Sequence, residues 1–261
     1  MIDFPVTLHF FGKDILLHPV LESVGIFIAM RYYYFLKRKS SEKMNLNVSL
    51  AVLIGATAGA LFGSKLIGNL ENPYKLFEQA FNFKTFWWNN TIVGGLAFGL
   101  LGVEFAKKIV GHKESTGDLI TFPLILAMII GRIGCFFTGI YEETYGVPTD
   151  SVFGMYLGDN VKRHPVALYE IVFLNILWII LKKIEKKRKY PSGFVFQVFM
   201  ISYFTFRFLL DFIKPKVDVI FNLGSIQIVC LSMIIYYIYK IYLTFNTKTQ
   251  NKYLDEPISN S

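Results

Sequence analysis

Arg132 lies in the middle of an apolar run that extends from Phe122 to Gly139. A guanidinium keeps its charge in any protein environment. At membrane depth it costs about 2.5–3.5 kcal/mol on translocon scales. A chain retains it there only by giving it water, a counter-charge or an anionic ligand. Gly131, Gly134 and Gly139 flank it, so backbone or ligand can come close. Arg207 repeats the situation inside the apolar run 194–211. Two planar forks matched to phosphate or carboxylate oxygens point to a membrane enzyme or carrier for an anionic, lipid-like molecule. The plainer alternative is two structural arginines. Arg132 would then pair with an acid or with carbonyls, and Arg207 with Asp211 one helical turn on.

Composition agrees with a membrane chain. Of the 261 residues, 53% are hydrophobic, and the mean hydropathy is +0.44. Apolar runs fill almost the whole length, which predicts one integral membrane domain over 1–245. The polar tail 246–261 is expected to be disordered and cytoplasmic. The net charge of +8 is assigned to loop anchoring and not to nucleic acid. Cys135 and Cys230 both sit in apolar runs without a CxxC, which argues against a disulfide framework or a zinc site. Neither a metal nor another cofactor is expected. The first eleven residues contain Asp3 and no Lys or Arg. They do not read as a cleaved signal peptide and are expected to be retained.

The fold expected is all-α and polytopic, with about seven transmembrane helices near 19–36, 48–68, 91–106, 119–139, 165–182, 193–213 and 223–244. Lys37, Arg38, Lys39 and Lys43 follow the first span. Lys107, Lys108 and Lys113 follow the third, and Lys182, Lys183, Lys186, Lys187, Arg188 and Lys189 the fifth. The intervening loops, which carry Lys75, Lys84, Lys162, Arg163, Lys214 and Lys216, are poorer in cations. The positive-inside rule puts the N-terminus outside and the C-terminus in the cytoplasm. Gly55, Gly59 and Gly63, four residues apart in the second span, are the spacing of close helix packing.

Polar residues at the ends of the spans are the remaining candidates. Arg163-His-Pro-Val-Ala-Leu-Tyr-Glu170 opens the fifth span, with Pro165 suited to a first helical turn. His164 there is a base, a phosphate donor or a cap. Glu170, an acid near the bilayer edge, can pair with either arginine. His18-Pro19, with Glu22 a turn later, looks similar and reads as structure. Gly139 and Gly146 bound a stretch able to fold over a mouth. Its Glu142 and Glu143 default to solvated charges. Asn89, Asn90 and Thr91 before Gly94 and Gly95 suit backbone lining a cavity. Cys135, one turn from Arg132, is by residue type more often a small buried hydrophobe than a nucleophile.

These residues, in this order, resemble the prolipoprotein diacylglyceryl transferase family of bacterial inner-membrane enzymes. The family's GRxGNFxNGE-like stretch reads here as Gly131-Arg-Ile-Gly-Cys-Phe-Phe-Thr-Gly139. Its HPxxLYE element reads as His164-Pro-Val-Ala-Leu-Tyr-Glu170. Its late arginine and acid appear as Arg207 and Asp211, and its GQ as Ser225-Ile-Gln227. Gly94, Gly95 and Gly146 match, as does the seven-span, N-out pattern. There are departures. Cys135 stands for the family's asparagine, Thr138-Gly139-Ile140 for NGE, and Val93 for the histidine before the glycine pair. The acid is displaced to Glu142 or Glu143, and the tyrosine of the first span has no clear counterpart.

The resemblance implies transfer of a diacylglyceryl group from phosphatidylglycerol, or a similar anionic phospholipid, to the lipobox cysteine in the signal-peptide segment of a prolipoprotein. It implies Arg132 and Arg207 as catalytic residues, and with Val93 in place of the family histidine, His164 is the catalytic candidate for base or proton relay. It implies Gly94, Gly95, Gly131, Gly134, Cys135, Gly139, Gly146, Tyr169, Glu170, Asp211 and Gln227 as substrate-binding ones. Two other readings stay open for so divergent a chain. One is a relative that binds an anionic lipid without turnover. The other is an enzyme with the same lipid donor and a different acceptor.

Overall fold

A computed structural model describes residues 3–10, 12–40, 45–74, 83–142, 144–187 and 190–254. Lys43, Lys75, Glu143, Arg188 and Lys189 of the expected loops lie outside the described residues. The chain starts with an antiparallel hairpin, β1 (Thr7–Phe10) and β2 (Lys13–Leu16). It continues with helices α1 (Leu17–Lys39), α2 (Leu46–Glu71), the short α3 (Phe83–Trp88), α4 (Ile92–Ile109), α5 (Gly117–Thr138), α6 (Val166–Lys187), α7 (Phe194–Leu210) and α8 (Ser225–Leu254). Two-residue strands β3 (Met155–Tyr156) and β4 (Lys162–Arg163) pair in the loop between α5 and α6.

Each expected segment falls on one of the long helices. Among the described residues, four helical stretches are long and apolar enough to cross a membrane: Leu46–Glu71, Gly117–Tyr141, Phe194–Ile213 and Ser225–Asn246. The other long helices carry more charge or polarity, such as Glu22 and Arg31 in α1, Glu104 and Lys107 in α4, and Glu170 and Lys182 in α6. The outward faces are strongly apolar. Phe27, Ile54, Phe62, Phe105, Ile179 and Ile235 are each more than half exposed. That is the surface of a helix bundle solvated by lipid, and the protein is a multi-pass membrane protein. α8 continues through its polar residues to Leu254, because neither Gly nor Pro interrupts 246–254 and Pro257 is the first breaker. Residues 255–261 lie outside the described residues.

Helix pairing follows the small residues. A Cβ at Gly63 would lie 2.4 Å from the Gly94 carbonyl, and one at Gly55 2.4 Å from the Gly102 carbonyl. α2 and α4 therefore touch backbone to backbone. Gly94 is part of that contact. Its missing side chain lets Gly63 approach, and a Cβ at Gly95 would meet nothing nearer than Ala60 and Ser64 at 3.7 Å. α1 packs along α5, and α7 along α8. The core between them holds Val93, Phe122, Ile125, Leu174, Phe199, Met200 and Ile226.

Loop contacts sort the two ends of the bundle. At one end, Lys214 pairs with Glu71 at 3.3 Å, and the Val147 amide donates to the Ile213 carbonyl at 2.9 Å. The Val6 amide reaches the Phe137 carbonyl at 2.9 Å there as well. At the other end, Asp118 in the first turn of α5 accepts from the Gly193 and Phe196 amides at 2.6 and 2.9 Å. A carboxylate thereby satisfies the open N–H groups at the start of α7.

Candidate active site

Three helices bring their single buried charges to one point. Arg132, near the C-terminal end of α5, places Nε 2.9 Å from Glu170 Oε1 on α6. Arg207, in the last turn of α7, places a terminal guanidinium nitrogen 3.2 Å from Glu170 Oε2. Tyr203, one turn before Arg207 on the same face, donates its hydroxyl to Glu170 Oε1 at 2.9 Å. Glu170 and Tyr203 have no exposed surface, and both arginines are buried. Two guanidinium cations therefore share one carboxylate, which leaves one unit of positive charge. The Nε groups of both arginines are also buried without a hydrogen-bond partner: Arg132 meets Glu170 by Nε as an ion pair alone, and Arg207 uses a terminal nitrogen. Surplus charge together with unused donors is an arrangement to which an anion is complementary.

Arg207 does not use the partner its own helix offers. Among the described residues no ion pair joins it to Asp211, whose Oδ1 is buried and unpartnered. α7 ends at Leu210, and Asp211 begins a tight 3-10 turn, Asp211–Ile213. Its amide still closes the helical hydrogen bond to the Arg207 carbonyl, so the missing pair is a matter of side-chain direction.

Cys135 extends the charged line. Arg132 donates to its Sγ at 3.5 Å. His18 Nε2, in the first turn of α1, lies 3.7 Å from the same sulfur. The other ring nitrogen, Nδ1, meets Glu142 Oε1 at 2.5 Å. Gly134 makes this possible, since a Cβ there would stand 2.7 Å from His18 Cδ2. Gly139 ends α5 at φ 65°, with its Cα against the Leu157 carbonyl, a turn that requires glycine. It delivers Glu142 to the histidine. The donor atoms of His18, Cys135 and Glu142 all lie within 4.8 Å of one another. Glu142 and Cys135 nevertheless meet different nitrogens of one ring. That is the arrangement of a hydrogen-bonded line and not of three ligands round one ion.

The remaining expected site residues are spread around this centre. Nothing lies within 4 Å of where a Cβ at Gly131 would be, so the backbone beside Arg132 is open. His164 turns its Nδ1 to the Tyr169 hydroxyl at 3.1 Å, and its carbonyl accepts from Gly146. A Cβ at Gly146 would collide with His164 at 2.5 Å. His164, Tyr169 and Gly146 thus form a separate knot at the start of α6. Gln227 accepts from the Gly224 amide at 3.0 Å and from Lys216 at 3.1 Å, which ties the loop before α8. Sequence reasoning did not single out Tyr203 and read His18 as structure, and it gave Glu142 either as a solvated charge or as the family's displaced acid. The available signals were the i,i+4 spacing of Tyr203 to Arg207 and the likeness of His18-Pro19 to His164-Pro165.

An apolar groove of about 370 Å³ runs between α6 and α7, lined by Phe173, Ile201, Ser202, Thr205, Phe206 and Leu209. Phe173 lies three residues after Glu170 on α6, and the α7 residues of the groove lie on the outer face of that helix.

Residues 5–243 match the family model for prolipoprotein diacylglyceryl transferase. Among similar curated proteins, the phosphatidylglycerol–prolipoprotein diacylglyceryl transferase of Nitratidesulfovibrio vulgaris (strain DP4) is 32% identical over 204 residues, covering 72% of this chain and 71% of its own. The enzyme of the same name from Geobacter sulfurreducens is 32% identical over 178 residues, 64% of this chain and 62% of its own. That of Campylobacter hominis is 27% identical across 95% of this chain and 94% of its own.

Proposed function

The chain belongs to the prolipoprotein diacylglyceryl transferase family, and from that premise we propose that it moves a diacylglyceryl group from phosphatidylglycerol to the lipobox cysteine of a prolipoprotein. The observation that carries this reading is the pair Arg132 and Arg207 sharing the one carboxylate of Glu170. A phosphodiester brings the missing negative charge. The acceptor thiolate attacks the glycerol carbon, the carbon–oxygen bond to phosphate breaks, and charge grows on the departing phosphate. Two preorganised guanidinium groups in a water-poor site stabilise that charge more in the transition state than in the bound lipid. Glu170 and Tyr203 hold the forks apart and in place. The groove between α6 and α7 accepts an acyl chain from the surrounding bilayer. His164, Tyr169, Gly146, Asp211 and Gln227 frame the loop side, where the glycerol headgroup and the acceptor peptide arrive.

The topology that accompanies this reading is seven spans in a bacterial inner membrane, N-terminus outside and C-terminus in the cytoplasm. Its support is the sorting of loops. The ends that carry Glu71, Glu142, Val147 and Lys214 gather at one pole, and the lysine-rich ends of α1, α4 and α6 belong to the opposite one.

The test is reconstitution of the full chain into phosphatidylglycerol vesicles with a synthetic lipobox peptide, read by the mass of the peptide. A diacylglyceryl adduct is expected with phosphatidylglycerol and none with phosphatidylcholine. Saturable phosphatidylglycerol binding with no modified peptide would leave a lipid-binding relative. Release of glycerol phosphate without peptide modification would indicate another acceptor.

A further inference from the structure

Transfer to a thiol needs something to take the thiol's proton, because the thiolate is the nucleophile. That group has to stand beside the arginines that hold the phosphate. The chain has four histidines. His9 is on the exposed hairpin, paired with Asp14. His112 follows α4 at the opposite pole, its amide bound to the Lys107 carbonyl. His164 is engaged with Tyr169. Among the described residues, only His18 is joined to Arg132 by a line of contacts, and the line runs through a sulfur.

The order along that line is carboxylate, imidazole, thiol, guanidinium. Glu142 faces Nδ1 and Cys135 faces Nε2, and in the tautomer whose Nδ1–H donates to Glu142 the Nε2 is the acceptor toward the sulfur. This is the logic of a nucleophile, a base and an orienting acid, found by geometry and not by sequence order. The charged groups facing Cys135 are His18 from α1 and Arg132 from its own helix, with Glu142 behind the ring. We propose that Glu142, His18 and Cys135 form the proton relay of this chain, with Cys135 as the group that meets the incoming thiol. The proposal rests on the transferase reading above.

The step balances as follows. Cys135 gives its proton to His18 Nε2 and becomes a thiolate beside Arg132. The acceptor thiol passes its proton to the Cys135 sulfur. The acceptor thiolate then forms the carbon–sulfur bond as the carbon–oxygen bond to phosphate breaks. The proton on His18 returns through the relay to the leaving phosphate monoester or to water. Cys135 and His18 are then catalytic residues, and Glu142 is a positioning residue.

Two measurements on the full-length protein test this. The first is the rate of alkylation of Cys135 by iodoacetamide against pH, with the adduct located by mass so that Cys230 is scored separately. The His18→Gln variant is expected to move the reactive limb to higher pH, and Glu142→Gln to move it part of the way. A wild-type Cys135 that reacts no faster than in His18→Gln at any pH overturns the relay. The second is transfer kinetics. His18→Gln and Cys135→Ala are each expected to lower kcat by roughly 100-fold or more, with KM for phosphatidylglycerol unchanged. Cys135→Ser guards against misfolding and should fall nearly as far. Full turnover in Cys135→Ala overturns the role of the sulfur. Absence of transfer in the wild type would sink the parent reading instead, and the alkylation arm would still decide whether the thiol is activated.

Discussion

Arg132 on α5 and Glu170 on α6 meet at 2.9 Å, Nε to Oε1, with the carboxylate wholly buried. The contact ties together the two sequence elements that carry the family resemblance. Arg207 takes the other oxygen of the same carboxylate. Glu170 is therefore the hub of the bundle's electrostatics, and its loss is felt by two cations at once.

Glu170→Gln should destabilise the protein by about 3–5 kcal/mol, the usual cost of leaving a buried charge without its partner. Here two cations are stranded in place of one. Thermal unfolding in a neutral detergent should show the drop. Added phosphatidylglycerol should restore more stability to this variant than to the wild type, since an anion then meets both arginines. An equal lipid effect in both proteins would separate Glu170 from the anion site.

Arg132→Lys keeps the charge and loses the fork. It should insert and fold, yet lose transfer by about 100- to 1,000-fold, the scale of removing one oriented donor to developing charge. Arg132→Ala should lose at least as much. The check is kcat with a lipobox peptide alongside a monodisperse elution profile. Near wild-type turnover in the lysine variant would show that Arg132 acts only as a point charge.

Much of this was legible in the sequence, and the limits have physical reasons. Charge inside apolar runs singled out Arg132, Arg207 and Glu170, because burial of an ion has few explanations. The small-residue row Gly55, Gly59 and Gly63 declared a packing face, and α4 supplies its partner. The contact of Gly94 with Gly63 was not legible, because a glycine looks the same whether a ligand or a helix approaches it. The Cys135–His18–Glu142 line was invisible. His18 and Cys135 are 117 positions apart, and no local periodicity encodes a contact between α1 and α5.

Gly63 and Gly131 should respond oppositely to one methyl group. At Gly63 the new Cβ would lie 2.3 Å from Phe98 Cβ and 2.4 Å from the Gly94 carbonyl, so α2 and α4 must separate. Gly63→Ala is expected to lower the unfolding temperature clearly. Gly131→Ala meets nothing within 4 Å and should leave stability unchanged. It adds bulk beside Arg132, so a rise in KM for phosphatidylglycerol is its expected signature. Equal destabilisation by the two would contradict the packing described.

Arg207 and Asp211 provide the sharpest contrast between a site and an ion pair. They are four residues apart, the spacing of a helical salt bridge, yet Arg207 turns to Glu170 instead and leaves the Asp211 Oδ1 unpartnered. Arg207→Ala removes a donor to the phosphate and leaves the lipid charge half met. Asp211→Asn leaves both arginines in place. The arginine variant is therefore expected to lose transfer by about 100-fold or more, and the asparagine variant by far less. The double exchange of Arg207→Asp with Asp211→Arg should rescue nothing, because it sets an acid against Glu170. Recovery of activity in that double variant, measured as kcat/KM with the same peptide and vesicles, would show the two residues to be a structural pair after all.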